Sequence, residues 1–257
     1  MVERIAVLSD THGALPCLDA VLAEPDVQSA DLIVVTGDLA AGPQPTLVLE
    51  RLMGLGDRVR LVRGNADREL VTAARGGRLP EGTPTVCRWA AAQLSDEHVQ
   101  LLAALEHPLV EQLDGVGEVL FCHGSPRDDN EVVLVDTRPS RWGEVLRDVP
   151  DSVRIVCSGH THMPFARLVG RRWIVNSGST GMPYGSTGVP WVLLDPRGVQ
   201  LRSTPIDPQQ VAASIIAGSG FPDVQAWVQD YVLSPPSDLE ALQAFAARDG
   251  RADSWDT

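Results

Sequence analysis

An α/β fold is what this sequence predicts, and three features carry the prediction. Short β-branched or aliphatic runs recur at strand length, the early ones alternate with helical stretches, and the later ones pair across glycine turns. The runs are Ile5–Leu8, Leu32–Thr36, Val59–Val62, Val119–Cys122, Val153–Cys157 and Trp191–Leu194, each about as long as a buried strand. Leu15–Ala23 and Thr46–Leu55 read as helices between the first three runs, so the N-terminal half alternates strand and helix. Leu109–Leu113 and Val119–Cys122 flank Asp114-Gly115-Val116-Gly117, and Phe165–Val169 and Trp173–Val175 flank Gly170-Arg171-Arg172. Both pairs read as hairpins.

Between the third and fourth runs, Arg68 to His107 reads as mostly helical, interrupted by Gly76-Gly77 and Pro80, with a helix start at Ser95-Asp96-Glu97. It is expected to be a helical cap inserted into the main fold at 68–107. Three further helical patches follow Pro205 and form a C-terminal extension over 206–257. In it Val224, Trp227, Val228 and Tyr231 follow i, i+3, i+4, i+7 spacing and should pack on the body. The polar tail from Arg248 to Thr257 is expected to fray.

Composition narrows the function. The 257 residues carry a formal net charge of -13, a field that repels polyanions and disfavours a broad nucleic-acid face. All 21 basic residues are arginine. Without lysine, a P-loop and a Schiff-base mechanism are both excluded, so any bound phosphate needs arginine or a metal. Cys17, Cys87, Cys122 and Cys157 include no C-x-x-C pair, which fits a reduced, cytoplasmic protein. No signal-peptide pattern opens the chain, and no apolar run approaches membrane-spanning length.

Five strand-like runs end in residues that ligate metals. Ile5–Leu8 leads to Asp10-Thr11-His12, Leu32–Thr36 to Gly37-Asp38, and Val59–Arg63 to Gly64-Asn65-Ala66-Asp67. Val119–Cys122 leads to His123-Gly124, and Val153–Ser158 to Gly159-His160-Thr161-His162. Asp10/His12 and His160/His162 stand at i, i+2, which in an extended chain points both side chains one way, as two ligands of one ion require. Any single motif is ordinary turn chemistry. Five in order, holding four of the six histidines, point to a metal centre at the carboxyl ends of the strands. His98 and His107 lie in the helical block and read as bystanders.

The order D-x-H, G-D, G-N-x-D, H-G, G-H-x-H over Asp10 to His162 resembles the calcineurin-like metallophosphoesterases. His160-Thr161-His162-Met163-Pro164, Asn176-Ser177-Gly178-Ser179 and His123-Gly124-Ser125-Pro126-Arg127-Asp128 look like its small bacterial and archaeal phosphodiesterase branch. The resemblance implies a four-layer α/β/β/α sandwich, two central sheets flanked by helices, over residues 1–205. It implies that Asp10, His12 and His162 hold one metal, that Asn65, His123 and His160 hold a second, and that Asp38 bridges them. The implied cofactors are two divalent transition-metal ions, Mn first and Fe, Ni, Co or Zn as alternatives, because the ligands are nitrogen and oxygen without thiolate. The implied reaction is in-line attack on phosphorus by a hydroxide bridging ions ~3.5–4 Å apart. A formal count of two divalent ions, two aspartates and one hydroxide leaves about +1 to draw in a small phosphate ester.

The chain departs from the wider family where many members have a histidine that assists the leaving group: here that position is Ala66. General acid catalysis typically contributes ~10²–10⁴-fold, so good leaving groups, or an acid from the cap, are expected. Asp67 then caps the following helix. Gly37-Asp38-Leu39-Ala40 also lacks the protein-phosphatase continuation, which disfavours phosphoprotein substrates. Asn65, Arg68 and Arg127 are candidates to grip substrate phosphate, against the alternative that Arg127 pairs with Asp128 or Asp129. Gly178 to Gly181 forms either an anion nest or a plain turn. Phosphodiester hydrolysis is the first reading. The alternatives are a scaffold of this fold with weak catalysis (as in a retromer subunit), a dinucleoside polyphosphate hydrolase, a phosphomonoesterase and a nuclease.

Overall fold

The computed structural model describes residues 2–250. Two five-stranded mixed sheets form its centre. The first contains β1 (Ile5–Leu8), β2 (Leu32–Val35), β3 (Val59–Leu61), β9 (Val189–Asp195) and β10 (Gly198–Thr204) in the order β10-β9-β1-β2-β3. The second contains β4 (Leu109–Leu113), β5 (Gly117–Phe121), β6 (Val153–Ser158), β7 (Phe165–Val169) and β8 (Arg172–Asn176) in the order β4-β5-β6-β8-β7. β1, β2 and β3 run parallel, as do β5, β6 and β8. Both predicted hairpins form, β4–β5 and β7–β8.

The helices are α1 (Leu15–Leu22), α2 (Pro25–Gln28), α3 (Pro45–Met53), α4 (Asn65–Ala74), α5 (Thr85–Ala91), α6 (Asp96–Ala104), α7 (Pro139–Val145), α8 (Pro208–Ala217), α9 (Val224–Val228) and α10 (Asp238–Ala246). A π-helical turn, Gln229–Leu233, continues α9.

Strand alternation sets the layers. Ile5, Val7, Leu32, Val34, Val192 and Leu194 of the first sheet meet Val119, Phe121, Ile155, Cys157 and Val175 of the second in one core. The alternate residues Ala6, Leu8, Ile33, Val35 and Leu193 face α1, α3 and the C-terminal helices. On the far side Leu120, Val156 and Ile174 pack on Trp142 and Val145 of α7. Side chains point to opposite faces at period two, and the central strands β1, β2, β6 and β9 are covered on both faces, so they read as continuous apolar runs. The result is the four-layer sandwich.

Several elements differ from the sequence reading. β10 is a strand that the sequence reading left out, and it pairs with β9 across a short turn at Pro196-Arg197. Its alternation of Val199 and Leu201 with Gln200 and Arg202 is the signal that marks it. α7 starts at Pro139, a favoured first helical position, within a stretch too short to show a period. Val224, Trp227 and Val228 are buried in the helix-side core, and Tyr231 packs against it. The expected fraying fails at its start, since Ala247–Asp249 form a helical turn and Arg248 bonds the Asn130 side chain at 2.8 Å. Residues 251–257 lie outside the described residues. His98 is buried and belongs to a helix cap: its N–H donates to Ser95 Oγ at 3.2 Å. The four cysteines are buried and unpaired, and among the described residues no helix is long and apolar enough to cross a membrane.

Candidate metal centre

The loops after β1, β2, β5 and β6 bring six side chains into two adjoining sets, Asp10/His12/His162 and Asp38/His123/His160, each with donor atoms within 4.8 Å of one another. In the first, His162 Nε2 lies 3.2 Å and His12 Nε2 3.7 Å from Asp10 Oδ1. In the second, His123 Nε2 lies 3.2 Å from Asp38 Oδ2. The same Asp38 oxygen is 3.7 Å from His12 Nε2, so Asp38 faces both sets. Asn65 follows β3 as the first residue of α4, and its Oδ1 is buried without a hydrogen-bond partner.

The backbone that delivers these groups is not extended. Asp10, His12, Asp38, His160 and His162 have φ of 52°, 44°, 54°, 67° and 60°, the left-handed region that non-glycine residues rarely enter. The i, i+2 argument from an extended chain is therefore corrected. Sharp turns aim these side chains, and His160 and His162 part, one to each set. Each such residue costs on the order of 1–3 kcal/mol. Hydrogen bonds between strand ends offset that cost: Asp10 N–H donates to Gly37 O at 2.9 Å, His12 N–H to Asp38 O at 3.0 Å, and His160 N–H to Asp10 Oδ2 at 2.9 Å. Gly37 has φ +100°, and a Cβ there would sit 2.6 Å from Gly64 N and 2.8 Å from His123 Nδ1. Only glycine lets these two loops approach.

Asp67 does more than cap a helix. Its carboxylate accepts from Gly64 N–H, the cap of α4, and also from Asp38 N–H and Leu39 N–H, all at 2.9 Å. It ties the loop after β2 to the start of α4. The Asn176-Ser177-Gly178-Ser179 stretch has a similar supporting role. Asn176 Nδ2 donates to Gly159 O at 2.6 Å and to Thr161 Oγ1 at 3.1 Å, bracing the His160–His162 turn. The N–H groups of Gly178, Thr180, Gly181 and Met182 all bind Asn176, Ser9, Asp10 or Ser179 oxygens. These four N–H groups are engaged within the fold, as in a turn, and are not free to bind an anion.

The donors fit divalent cations. His12, His123 and His162 place Nδ1 3.3, 2.7 and 2.9 Å from the Ala41, Thr36 and Met182 carbonyls. A neutral ring that donates from Nδ1 presents a lone pair at Nε2. The Nε2 atoms of His12 and His162 converge to 3.1 Å. Asp10 Oδ1, Asn65 Oδ1 and His123 Nε2 are buried without hydrogen-bond partners. Lone pairs brought together in a buried site need a shared cation.

Without an ion, the same carboxylates draw protons onto the rings in its place. Burial alone would raise the Asp10 carboxyl, yet His162 and His123 hold it well below the usual carboxylate range. Asp38 is also lowered, mainly by His123 acting against burial. Burial opposes charge on His123 too, but Asp38 and Asp10 lift it to about 10. His160 is depressed to about 3 by burial and then by His123. Burial and the Asp38 charge push Asp67 up to about 7. Asp10 and Asp38 face the two adjoining sets with Asp67 close behind Asp38, and positive charge between the first two is what this arrangement demands.

Arg68 and Arg127 sit elsewhere. Arg68 Nη2 binds Asp129 at 2.8 Å, and Arg127 Nη2 binds Glu131 at 2.6 Å, so each guanidinium already has a carboxylate. The partner of Arg127 is Glu131, where Asp128 or Asp129 was expected. Neither arginine lines the cavity of 320 Å³ that opens beside His12, Asp38 and Asn65. Sequence reasoning missed Arg248, whose Nη2 lies 3.2 Å from His160 Nε2. It also missed Tyr184, whose ring centroid lies 4.8 Å from that of His162. No local pattern marks either residue, because chain folding alone brings them to the centre.

Comparison with known proteins bears on this geometry. A profile of the calcineurin-like phosphoesterase superfamily domain matches residues 4–197. The chain belongs to that superfamily. An uncharacterised protein of Methanocaldococcus jannaschii is 24% identical over 201 residues, 70% of this chain and 77% of that protein. A protein of Acidovorax sp. (strain JS42) named as a symmetrical bis(5'-nucleosyl)-tetraphosphatase is 37% identical over 170 residues, 56% of this chain and 59% of its own length. Two crystal structures share the fold across 90% of this phosphoesterase: a metallophosphoesterase from Sphaerobacter thermophilus (TM-score 0.68, 23% identity, all of that chain) and a hypothetical protein from Pyrococcus horikoshii OT3 (TM-score 0.74, 19% identity, 99% of that chain). The calcineurin-like phosphoesterase membership and the paired Asp/His sets support a metal-dependent phosphoester hydrolase.

Proposed function

We propose that this phosphoesterase is a dinuclear-metal phosphodiesterase acting on small phosphodiesters or phosphoanhydrides. Asp10, His12 and His162 hold one ion, Asn65, His123 and His160 the other, and Asp38 bridges. The observation that carries the reading is the convergence of lone pairs on one buried point, with five of those residues in strained left-handed backbone. Strain of this kind persists where the surroundings over-determine it, as at functional sites. Manganese is the first expectation, with Fe, Ni, Co or Zn as alternatives of matching donor preference.

When bound, the ion pair supplies Lewis acidity and lowers the pKa of water. The chain does the rest. Backbone carbonyls fix the ring tautomers of His12, His123 and His162, and Asp38 stays ionised to face both sets. Asn65 lines the cavity that would receive the phosphate and keeps a buried Oδ1 without a hydrogen-bond partner for the ion. Ala66 lines that cavity too and offers no proton to a departing oxygen, so the leaving group must depart as a stable anion. The cap at 68–107 and the segment from 206 onward enclose the cavity, the former through Val86 of α5 and the latter through Phe221 and Trp227. A cytoplasmic location belongs to the same reading, supported by four buried, unpaired thiols.

The test is metal analysis of the Mn-loaded protein together with turnover of bis(4-nitrophenyl) phosphate and a simple alkyl phosphomonoester. Two ions per chain and a preference for the aryl diester of at least about 10²-fold are expected. Equal turnover of both esters rejects the leaving-group argument, and bound metal without turnover favours a scaffold. A second reading, dinucleoside polyphosphate hydrolysis, is favoured by the name of the Acidovorax relative. Release of two identical nucleotide products from a symmetric tetraphosphate would establish it.

A further inference from the structure

The cavity beside the metal centre has two unlike ends. His12, Asp38 and Asn65 form one end. Phe221, Trp227 and Tyr231 contribute rings to the rest, with the carboxylates of Asp223 and Asp230 before and after α9, whereas Glu69 stands by Asn65 and Asp38. Its exposed lining is mostly apolar. No arginine among the described residues lines it, although the chain has 21. Divalent ions held by His12 and Asp38 would make that end positive, while Asp223 and Asp230 keep carboxylates beside the rings of α9 and the turn after it.

We propose that this cavity selects phosphodiesters in which one alcohol carries an ammonium group. The inference rests on the phosphodiesterase reading and names the substrate class. The phosphate sits at the centre, and the cation sits among the rings and carboxylates. Aromatic faces attract compact cations through their quadrupoles, most strongly when desolvated, and a neighbouring carboxylate adds Coulomb attraction. The same carboxylates repel further phosphates, so a polyphosphate tail has no place there.

Ring geometry favours a compact cation over a nucleobase. Trp227 and Tyr231 have centroids 5.4 Å apart and planes tilted by 53°. Trp227 and Tyr231 therefore offer a flat base no pair of parallel planes to enter between. A tetrahedral ammonium group needs no parallel walls.

In the reaction, the oxygen of water joins phosphorus and gives up its protons to solvent, the P–O bond to the better leaving group breaks, and that group departs with the bonding pair as its anion. The ammonium alcohol stays on the product monoester. The experiment compares 4-nitrophenyl phosphocholine with the 4-nitrophenyl ester of 3,3-dimethylbutyl phosphate, which replaces nitrogen by carbon at the same shape. The choline ester should show a kcat/KM at least about tenfold higher, and Asp223→Asn with Asp230→Asn should collapse that ratio toward one. Both carboxylates are exposed, so the variant should fold.

Equal rates for the two esters overturn the proposal, as does a ratio that survives the double substitution or a faster adenosine-bearing aryl diester. Turnover of bis(4-nitrophenyl) phosphate separates the two readings, because activity there without a choline preference sinks this inference alone. If no diester turns over, binding decides. Choline, and not 3,3-dimethylbutanol, should quench tryptophan fluorescence in the wild-type chain and lose that effect in Trp227→Phe. Binding of both or neither overturns the proposal.

Discussion

The floor and the wall of the cavity are built by different means. The floor is the set of proposed ligands from Asp10 to His162, inside the segment matched by the superfamily profile. Short strand-end loops hold it in left-handed backbone through mutual hydrogen bonds. The wall is formed in part by Phe221, Trp227 and Tyr231, which lie beyond that segment. They sit on or beside α9, held by apolar packing. Directional bonds fix atoms within tenths of an ångström, whereas apolar packing fixes volume. The floor therefore suits chemistry that tolerates no displacement, and the wall suits selection that tolerates variation. Damage to the floor should affect every substrate, and damage to the wall should change only the ranking of substrates.

Asp38→Asn should have the largest effect, because this one residue faces both sets. Asparagine keeps one carbonyl oxygen but loses the charge and the second donor oxygen. Metal content should fall below two ions per chain, and turnover of bis(4-nitrophenyl) phosphate should fall by more than about 10²-fold. Elemental analysis beside kinetics reads both. Two tightly held ions in this variant would break the bridging assignment, and with it the idea of a single floor.

The floor was largely legible in the sequence and the wall was not. Strand ends announce themselves by β-branched runs that stop at glycine, and a ligand type after each stop is visible one motif at a time. What stayed hidden was the reason the motifs work. An i, i+2 pair implies a common direction only in extended chain, and here the chain turns instead, sending His160 and His162 to separate sets. The spacing was right and its geometry was wrong. Arg248 beside His160 and Tyr184 beside His162 are contacts between segments far apart in sequence, which no local periodicity encodes. The i, i+3, i+4, i+7 stripe of α9 told that Trp227 is buried, but a stripe cannot say that its ring also faces a cavity. β10 was missed because its outer residues are polar, leaving only Val199 and Leu201 as signal.

A smaller effect separates positioning from chemistry within the floor. Asp67 touches no proposed donor atom directly, yet three backbone N–H groups meet its two oxygens. Asp67→Asn leaves one oxygen for them and turns an NH2 toward the third. An unsatisfied buried donor costs about 1–3 kcal/mol, and the loop carrying Asp38 loses its tether. Activity should fall about 10–100-fold, and raising the Mn concentration should restore part of it, because what is weakened is the placement of a ligand. A loss equal to that of Asp38→Asn, with no rescue by metal, would place Asp67 in the chemistry itself.

The smallest effect concerns Arg68, which stands just behind the floor. Its guanidinium binds Asp129, as does that of Arg63 at 3.2 Å, while Asp129 itself is 7% exposed. Burial pushes the Asp129 carboxyl up, but Arg68 and Arg63 together hold it below the usual carboxylate range. The folded carboxyl therefore releases its proton at lower pH than the unfolded one, whose pKa is about 3.9. The stabilisation is fully present above that unfolded value and is lost as pH falls through the depressed folded value. Arg68→Met removes one of the two cations, raises the folded pKa toward the unfolded one, and should move the acid-unfolding midpoint to higher pH. At neutral pH its KM for bis(4-nitrophenyl) phosphate should stay within about twofold of wild type, since surface ion pairs contribute little and Arg68 does not line the cavity. A KM raised tenfold or more with an unmoved acid midpoint would instead make Arg68 a substrate-gripping residue and extend the floor by one side chain.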